Sequence, residues 1–197
     1  MYHRLQCQCG ALQGQISHPH RAIHGICYCK DCRAYLRHLG VESRTLDTFG
    51  GAEFVATQAK HISFSDGIQN LACLSLSEKG LLRWYSKCCN TPICNTPRNW
   101  KIPYVGLVHT CLKSDPAAFV SSFPQLQMRV NTGSAKQRPP GMAFKTFATL
   151  AGFIPQVIAG SITGAYKSTL FFNTKGQPIT SVNVLSETER SRAYGNA

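Results

Sequence analysis

Short apolar runs, separated by glycine, proline or asparagine, recur through the first 115 residues at a spacing that predicts strands. Residues 4–16 alternate loosely and predict a strand broken at Gly10 and Gly14. Residues 22–27 predict a short strand that runs into a cysteine-rich turn. A short helix is predicted over 32–39, capped by Asp31 and ended by Gly40. After the Gly50-Gly51 turn come strands over 53–57 and 61–65. Asp66-Gly67 then predicts a tight hairpin into the alternating stretch 68–76. A turn at Glu78-Lys79-Gly80 precedes a strand over 81–85, and 102–110 predicts one more. The fold class is therefore mainly β, built of short antiparallel strands.

The pattern changes beyond residue 115. Residues 131–141 read as a loop. Residues 146–166 carry no charge and are flanked by Lys145 and Lys167, a length that would span a bilayer. Only twelve of those 21 residues are apolar, however. Phe147, Leu150, Ala151, Ile154, Ile158 and Ile162 recur near helical spacing, which predicts one apolar face packed on protein and no membrane span. Pro155 should break or restart the helix. Ser186 followed by Glu189 predicts a capping box opening a terminal helix. Two parts result: a β domain over 1–115 and a basic, partly helical extension over 116–197 packed on it.

The net charge of +12 is uneven. Residues 116–197 hold eight Lys/Arg against two acidic residues, and none of the latter lies between Asp115 and Glu187. Such a field attracts anions. The basic residues are scattered without a run of five, so nucleic acid is not expected as a partner. Eight of the ten cysteines fall in three groups: Cys7/Cys9, Cys27/Cys29/Cys32 and Cys88/Cys89/Cys94. Grouping at metal-ligand spacing points to a reducing compartment. With Cys7 already in the pattern, no leader is expected before it, and the expected location is cytoplasmic.

Cys27-x-Cys29-x-x-Cys32, followed by Arg33, is the densest group. A turn after Cys29 would curl three sulfurs around one point, and zinc takes thiolates at about 2.3 Å in tetrahedral geometry. Three sulfurs leave one position open, the mark of a catalytic rather than a closed zinc site.

The order Cys7-x-Cys9-Gly10-Ala11, Cys27-x-Cys29-x-x-Cys32-Arg33 and Cys89-Asn90-Thr91-Pro92-Ile93 resembles the glutathione-dependent formaldehyde-activating enzyme family, also named for centromere protein V. The resemblance covers about residues 2–112, and residues 81–92 are similar to a branch of that family. It implies a β-tent, Mss-four-like fold with two zinc ions. One would be structural, with Cys7 and Cys9 as half of its ligands; the other would be active, on Cys27, Cys29 and Cys32. The chain departs from the pattern at the second half of the structural site. Where the family would have cysteines at 86 and 89 and glycine at 90, this chain has Ser86, Cys89 and Asn90, with Cys88 adjacent. Cys88, Cys89 and Cys94 are therefore candidates to complete the four.

The activity implied is carbon–sulfur bond chemistry of the S-(hydroxymethyl)glutathione synthase or lyase type, with a glutathione-like thiol as substrate. Lys30, Arg33 and Arg37, near the three thiols in sequence, could pair with substrate carboxylates. His24, His38 and His61 are candidate proton carriers. The alternatives are a non-catalytic zinc module for a protein or nucleic-acid partner, and a thiol redox sensor.

Overall fold

The computed structural model describes residues 2–195. It is mainly β, with two sheets and a helical C-terminal part. The smaller sheet has the order β1-β2-β5, from Tyr2–Gln6, Gln13–Ser17 and Ile62–Asp66. The larger holds β3 (Ile23–Cys27), β4 (Ala52–Gln58), β6 (Leu71–Ser75), β7 (Leu82–Ser86), β8 (Thr91–Thr96) and β9 (Tyr104–Val108). Two three-residue strands, β10 (Met128–Val130) and β11 (Val182–Val184), complete its order β10-β3-β4-β9-β8-β7-β6-β11.

Both edge strands therefore come from the segment beyond residue 115, and both pair parallel, β10 with β3 and β11 with β6. The remaining pairings are antiparallel, as the alternating pattern predicted.

Alternation along β7 sorts the two faces of the large sheet. Leu82 and Trp84 enter the main core with Leu5, Ile16 and Phe171. Tyr85 faces the other way, toward α1 (Lys30–His38) and α5 (Glu187–Tyr194), whose Tyr35, Leu36 and Ala193 form a second cluster with Leu74 and Leu76. The short α2 (Glu42–Thr45) follows α1, and α3 (Pro116–Ser122) packs on β1. A third cluster joins Ile23, Phe54 and Met128 to Phe153 of α4 (Ala143–Ile162).

Four local expectations are corrected. Residues 4–16 form two strands of a hairpin, with Cys7 and Cys9 in the connection. Asp66-Gly67 does not close a hairpin, because β5 and β6 belong to different sheets. Gly67 instead takes φ +72° against the Ala11 carbonyl, where any Cβ would collide. Pro155 lies inside an unbroken α4. It is exposed, so the carbonyl it deprives of a partner can be hydrated. The fourth concerns the packed face of α4, which is the stripe of Leu150, Phe153, Val157 and Gly160, sharing only Leu150 with the predicted one. Gly160 permits this approach, since a Cβ there would meet Pro103 Cγ at 2.9 Å. The Ser186/Glu189 capping box is present. Among the described residues, no helix is long and apolar enough to cross a membrane.

Candidate metal centres

The first centre is built from two turns. The loop between β1 and β2 carries Cys7 and Cys9, held by Cys7 N–H donating to the Leu12 carbonyl and Gly10 N–H to that of Cys7. The turn after β7 carries Cys88 and Cys89. Their sulfurs converge: Cys7–Cys9 is 3.5 Å, Cys9–Cys88 3.0 Å, Cys7–Cys88 3.9 Å and Cys88–Cys89 3.8 Å. A tetrahedral zinc with 2.3 Å bonds would set sulfurs about 3.8 Å apart. The spacings suit that donor set, and all ten cysteines are free thiols.

A left-handed residue follows the adjacent pair Cys88 and Cys89. Asn90 takes φ +53°, a left-handed turn that Asn tolerates better than other non-glycine residues. Ser86 places its hydroxyl 3.1 Å from Cys88 Sγ. Thr91 Oγ1 lies 3.0 Å from Cys89 Sγ and also accepts from Gln8 N–H, tying the two turns together. Cys94 is corrected as a candidate ligand: it is fully buried in the apolar core, paired in register with Trp84.

The thiols interact strongly. The hydrogen bond with Cys88 pushes Cys9 up to about 12. Cys89 is held down to about 6; burial opposes this, but the Thr91 hydroxyl and the Cys9 backbone favour its thiolate. Four thiols this close cannot all ionise without a compensating cation, and a dication supplies that compensation.

The second centre sits where β3 gives way to α1. Cys27 ends the strand, and Cys29, not Asp31, caps the helix: its Sγ accepts the Cys32 N–H at 3.3 Å. Asp31 instead accepts the Tyr194 hydroxyl at 2.7 Å. The sulfurs of Cys27, Cys29 and Cys32 all lie within 4.8 Å of one another, half-buried. Among the described residues, no fourth cysteine, histidine or carboxylate joins this group. Hydrogen bonding with Cys29 raises the Cys27 thiol, and hydrogen bonding with Cys27 raises Cys32 to about 11.

Two residues overlooked in the sequence adjoin this centre. Arg83, buried on β7, brings Nη1 to 3.8 Å from Cys32 Sγ. Asn131, just after β10, donates from Nδ2 to Cys27 Sγ at 3.3 Å. A charged residue inside the apolar run 81–85 was the available signal for Arg83. Asn131 had none, since it reaches Cys27 only through the parallel pairing of β10 with β3.

Lys30, Arg33 and Arg37 line an open pocket of about 340 Å³ with Tyr194. Arg33 Nη1 also donates to the Tyr28 carbonyl at 2.7 Å, and Arg37 pairs with Glu42 at 2.7 Å. The histidines stand apart from the thiols. His24 is on the opposite face of β3 from Cys27, with Nε2 2.7 Å from Glu53. Glu53 also holds Lys113 at 2.8 Å and has His109 at 3.7 Å, a cluster not foreseen in the sequence. His61 meets Ser17 and stacks against His18. His38 is half-exposed on α1.

Fold and site together define a mainly β protein with two cysteine clusters able to hold metal. The chain belongs to a family described as "Family of unknown function (DUF6151)", which matches residues 2–182. No curated protein matches it. Among solved structures it is similar to a crystal structure of a Rhodobacter sphaeroides protein determined as a structural genomics target. The identity is 17%, over 56% of this chain and 88% of that one, with a TM-score of 0.39.

Proposed function

We propose that the protein binds two zinc ions, a structural one on Cys7, Cys9, Cys88 and Cys89 and an open one on Cys27, Cys29 and Cys32, and acts there on a small thiol of the glutathione type. The observation that carries this reading is the contrast between the clusters: four thiols complete one ligand set, while the other stops at three. Soft thiolate donors suit zinc.

The reaction proposed, by resemblance, is reversible addition of a thiol to formaldehyde. The S–H proton passes to the carbonyl oxygen as the S–C bond forms, giving S-hydroxymethylglutathione, and the reverse releases both components. Zinc supplies stabilisation of a thiolate and polarisation of a carbonyl. The chain's own residues do the rest. Asn131 and Arg83 point donors at the ligand sulfurs Cys27 and Cys32, fixing them and offsetting their charge. We assign the substrate carboxylates to Lys30 and Arg33, the cations nearest Cys29 and Cys32 in sequence, which line an open pocket on α1.

Calorimetry with the zinc-loaded protein tests this. Glutathione should bind with proton release, and S-methylglutathione, which has no proton to lose, at least tenfold more weakly. Equal binding of the two would leave a non-catalytic zinc module as the better reading.

A further inference from the structure

Of the α4 stripe predicted to be buried, Leu150 packs, while Phe147, Ile154, Ile158 and Ile162 turn to solvent and Phe144 extends their line. Phe144 is 86% exposed, Phe147 72%, Ile154 50%, Ile158 53% and Ile162 80%. At 100° per residue these five fall within an arc of about 80°, centred about 140° from Phe153 and about 160° from Gly160, and run about 27 Å along the axis. The helix thus has two apolar faces, of which the sheet covers one. No charge interrupts residues 146–166.

The surroundings of the exposed face say what covers it. Lys145 and Lys167 flank the uncharged run in sequence. An open groove of about 830 Å³ beside its first half is lined by Arg129, Lys136 and Arg138 together with Phe147. His20 and Arg21 line another groove, beside Gly152 and Gln156. The only acidic residues after Asp115 are Glu187 and Glu189 on α5, which packs against α1. A second copy laid on this face would set these cations against their like, in a chain of net charge +12.

We propose that α4 docks flat on a membrane surface rich in acidic phospholipid. Phe144, Phe147, Ile154, Ile158 and Ile162 enter the boundary between headgroups and acyl chains, and Lys136 and Arg138, in the groove beside Phe147, meet the lipid phosphates. An apolar stripe bordered by cations is the pattern of an interfacial helix, and one lying in the plane need not span the bilayer. This inference stands apart from the zinc reading, because α4 supplies no ligand to either cysteine cluster.

Co-sedimentation of the full chain with vesicles tests it. Vesicles of phosphatidylcholine with about a third phosphatidylglycerol should bind at least tenfold more tightly than phosphatidylcholine alone, with the preference shrinking in salt. The double variant Phe144→Ser/Phe147→Ser should lose at least tenfold. Both side chains are exposed, so an unchanged melting temperature verifies the fold. Lys136→Gln/Arg138→Gln should abolish the preference for the acidic lipid. Retained binding by the phenylalanine variant, or no binding by the natural chain, overturns the proposal. So does light scattering that finds a dimer dissociated by Phe147→Ser, which would assign this face to a second copy.

Discussion

Arg83 and Cys32 lie 51 residues apart in sequence, yet the guanidinium Nη1 is 3.8 Å from the thiol sulfur, beneath α1. Arg83 is 2% exposed, hydrogen-bonds Asn95 at 3.1 Å and sits 5.2 Å from the centre of the Tyr35 ring. Burial works against its charge, but Cys32 and Cys29 nearby hold its pKa above the ordinary value. A buried cation facing three thiols is suited to offset the surplus negative charge of a trithiolate zinc site.

Arg83→Met should therefore weaken zinc at the three-cysteine centre by roughly ten- to a hundredfold, as loss of outer-shell partners does. Retention at the four-cysteine centre should be unchanged. Competition with a chromophoric chelator separates the two pools. A single unaltered release profile would contradict this role for Arg83.

Zinc content near two per chain is expected by elemental analysis. Structural zinc contributes on the order of 10 kcal/mol to folding. Cys9→Ala should accordingly destabilise the fold far more than Cys29→Ala, as read from thermal melts of the two variants. Comparable losses in both would mean that neither centre is specially structural.

Asn90→Gly should be tolerated, whereas Asn90→Ala should cost roughly 1–2 kcal/mol, because only the former removes the Cβ from a left-handed turn. Urea denaturation of the zinc-loaded forms measures the difference. The cost should shrink once a chelator strips the metal if the turn also organises Cys88 and Cys89.

Glu53 gives an acid-side prediction. Burial tends to raise its pKa, but the His24 and Lys113 hydrogen bonds win and hold the carboxyl at about 2, against 4.5 unfolded. Its folded pKa is depressed, so its stabilisation is present above pH 4.5 and is lost as pH falls toward 2. The shift corresponds to about 3 kcal/mol for a group about a fifth exposed. Burial lowers His109 as well, which adds loss in the same direction below 6.5. Denaturation at a series of pH values should show a shallower acid slope in Glu53→Gln than in the natural chain. Identical slopes would place the acid sensitivity in the thiol centres instead.

Much of the molecule was legible in the sequence. Strand alternation around Ile23–Cys27 and Leu82–Ser86, the Ser186 capping box and the convergence of Cys27, Cys29 and Cys32 all follow from local spacing. The fourth ligand of the other cluster did not, because spacing alone cannot choose between Cys88 and Cys94, and only the packing of Cys94 into the core decides it. Asp66-Gly67 misled because turn chemistry cannot say whether the flanking strands pair. The face of α4 misled for a related reason: both of its faces are apolar, and only the notch at Gly160 selects the one that packs.

The two edge strands carry a consequence for the order in which the protein is made. Every cysteine of both clusters has left the ribosome once Cys89 emerges, yet β3 waits about a hundred residues for β10, and β6 as long for β11. Through that interval the nascent sheet presents two open edges, and Asn131 has not yet reached Cys27. Thiols competent for metal thus precede the scaffold that shields them. The window between residues 89 and 184 is when the growing chain is most exposed to mispairing, oxidation and capture of the wrong ion.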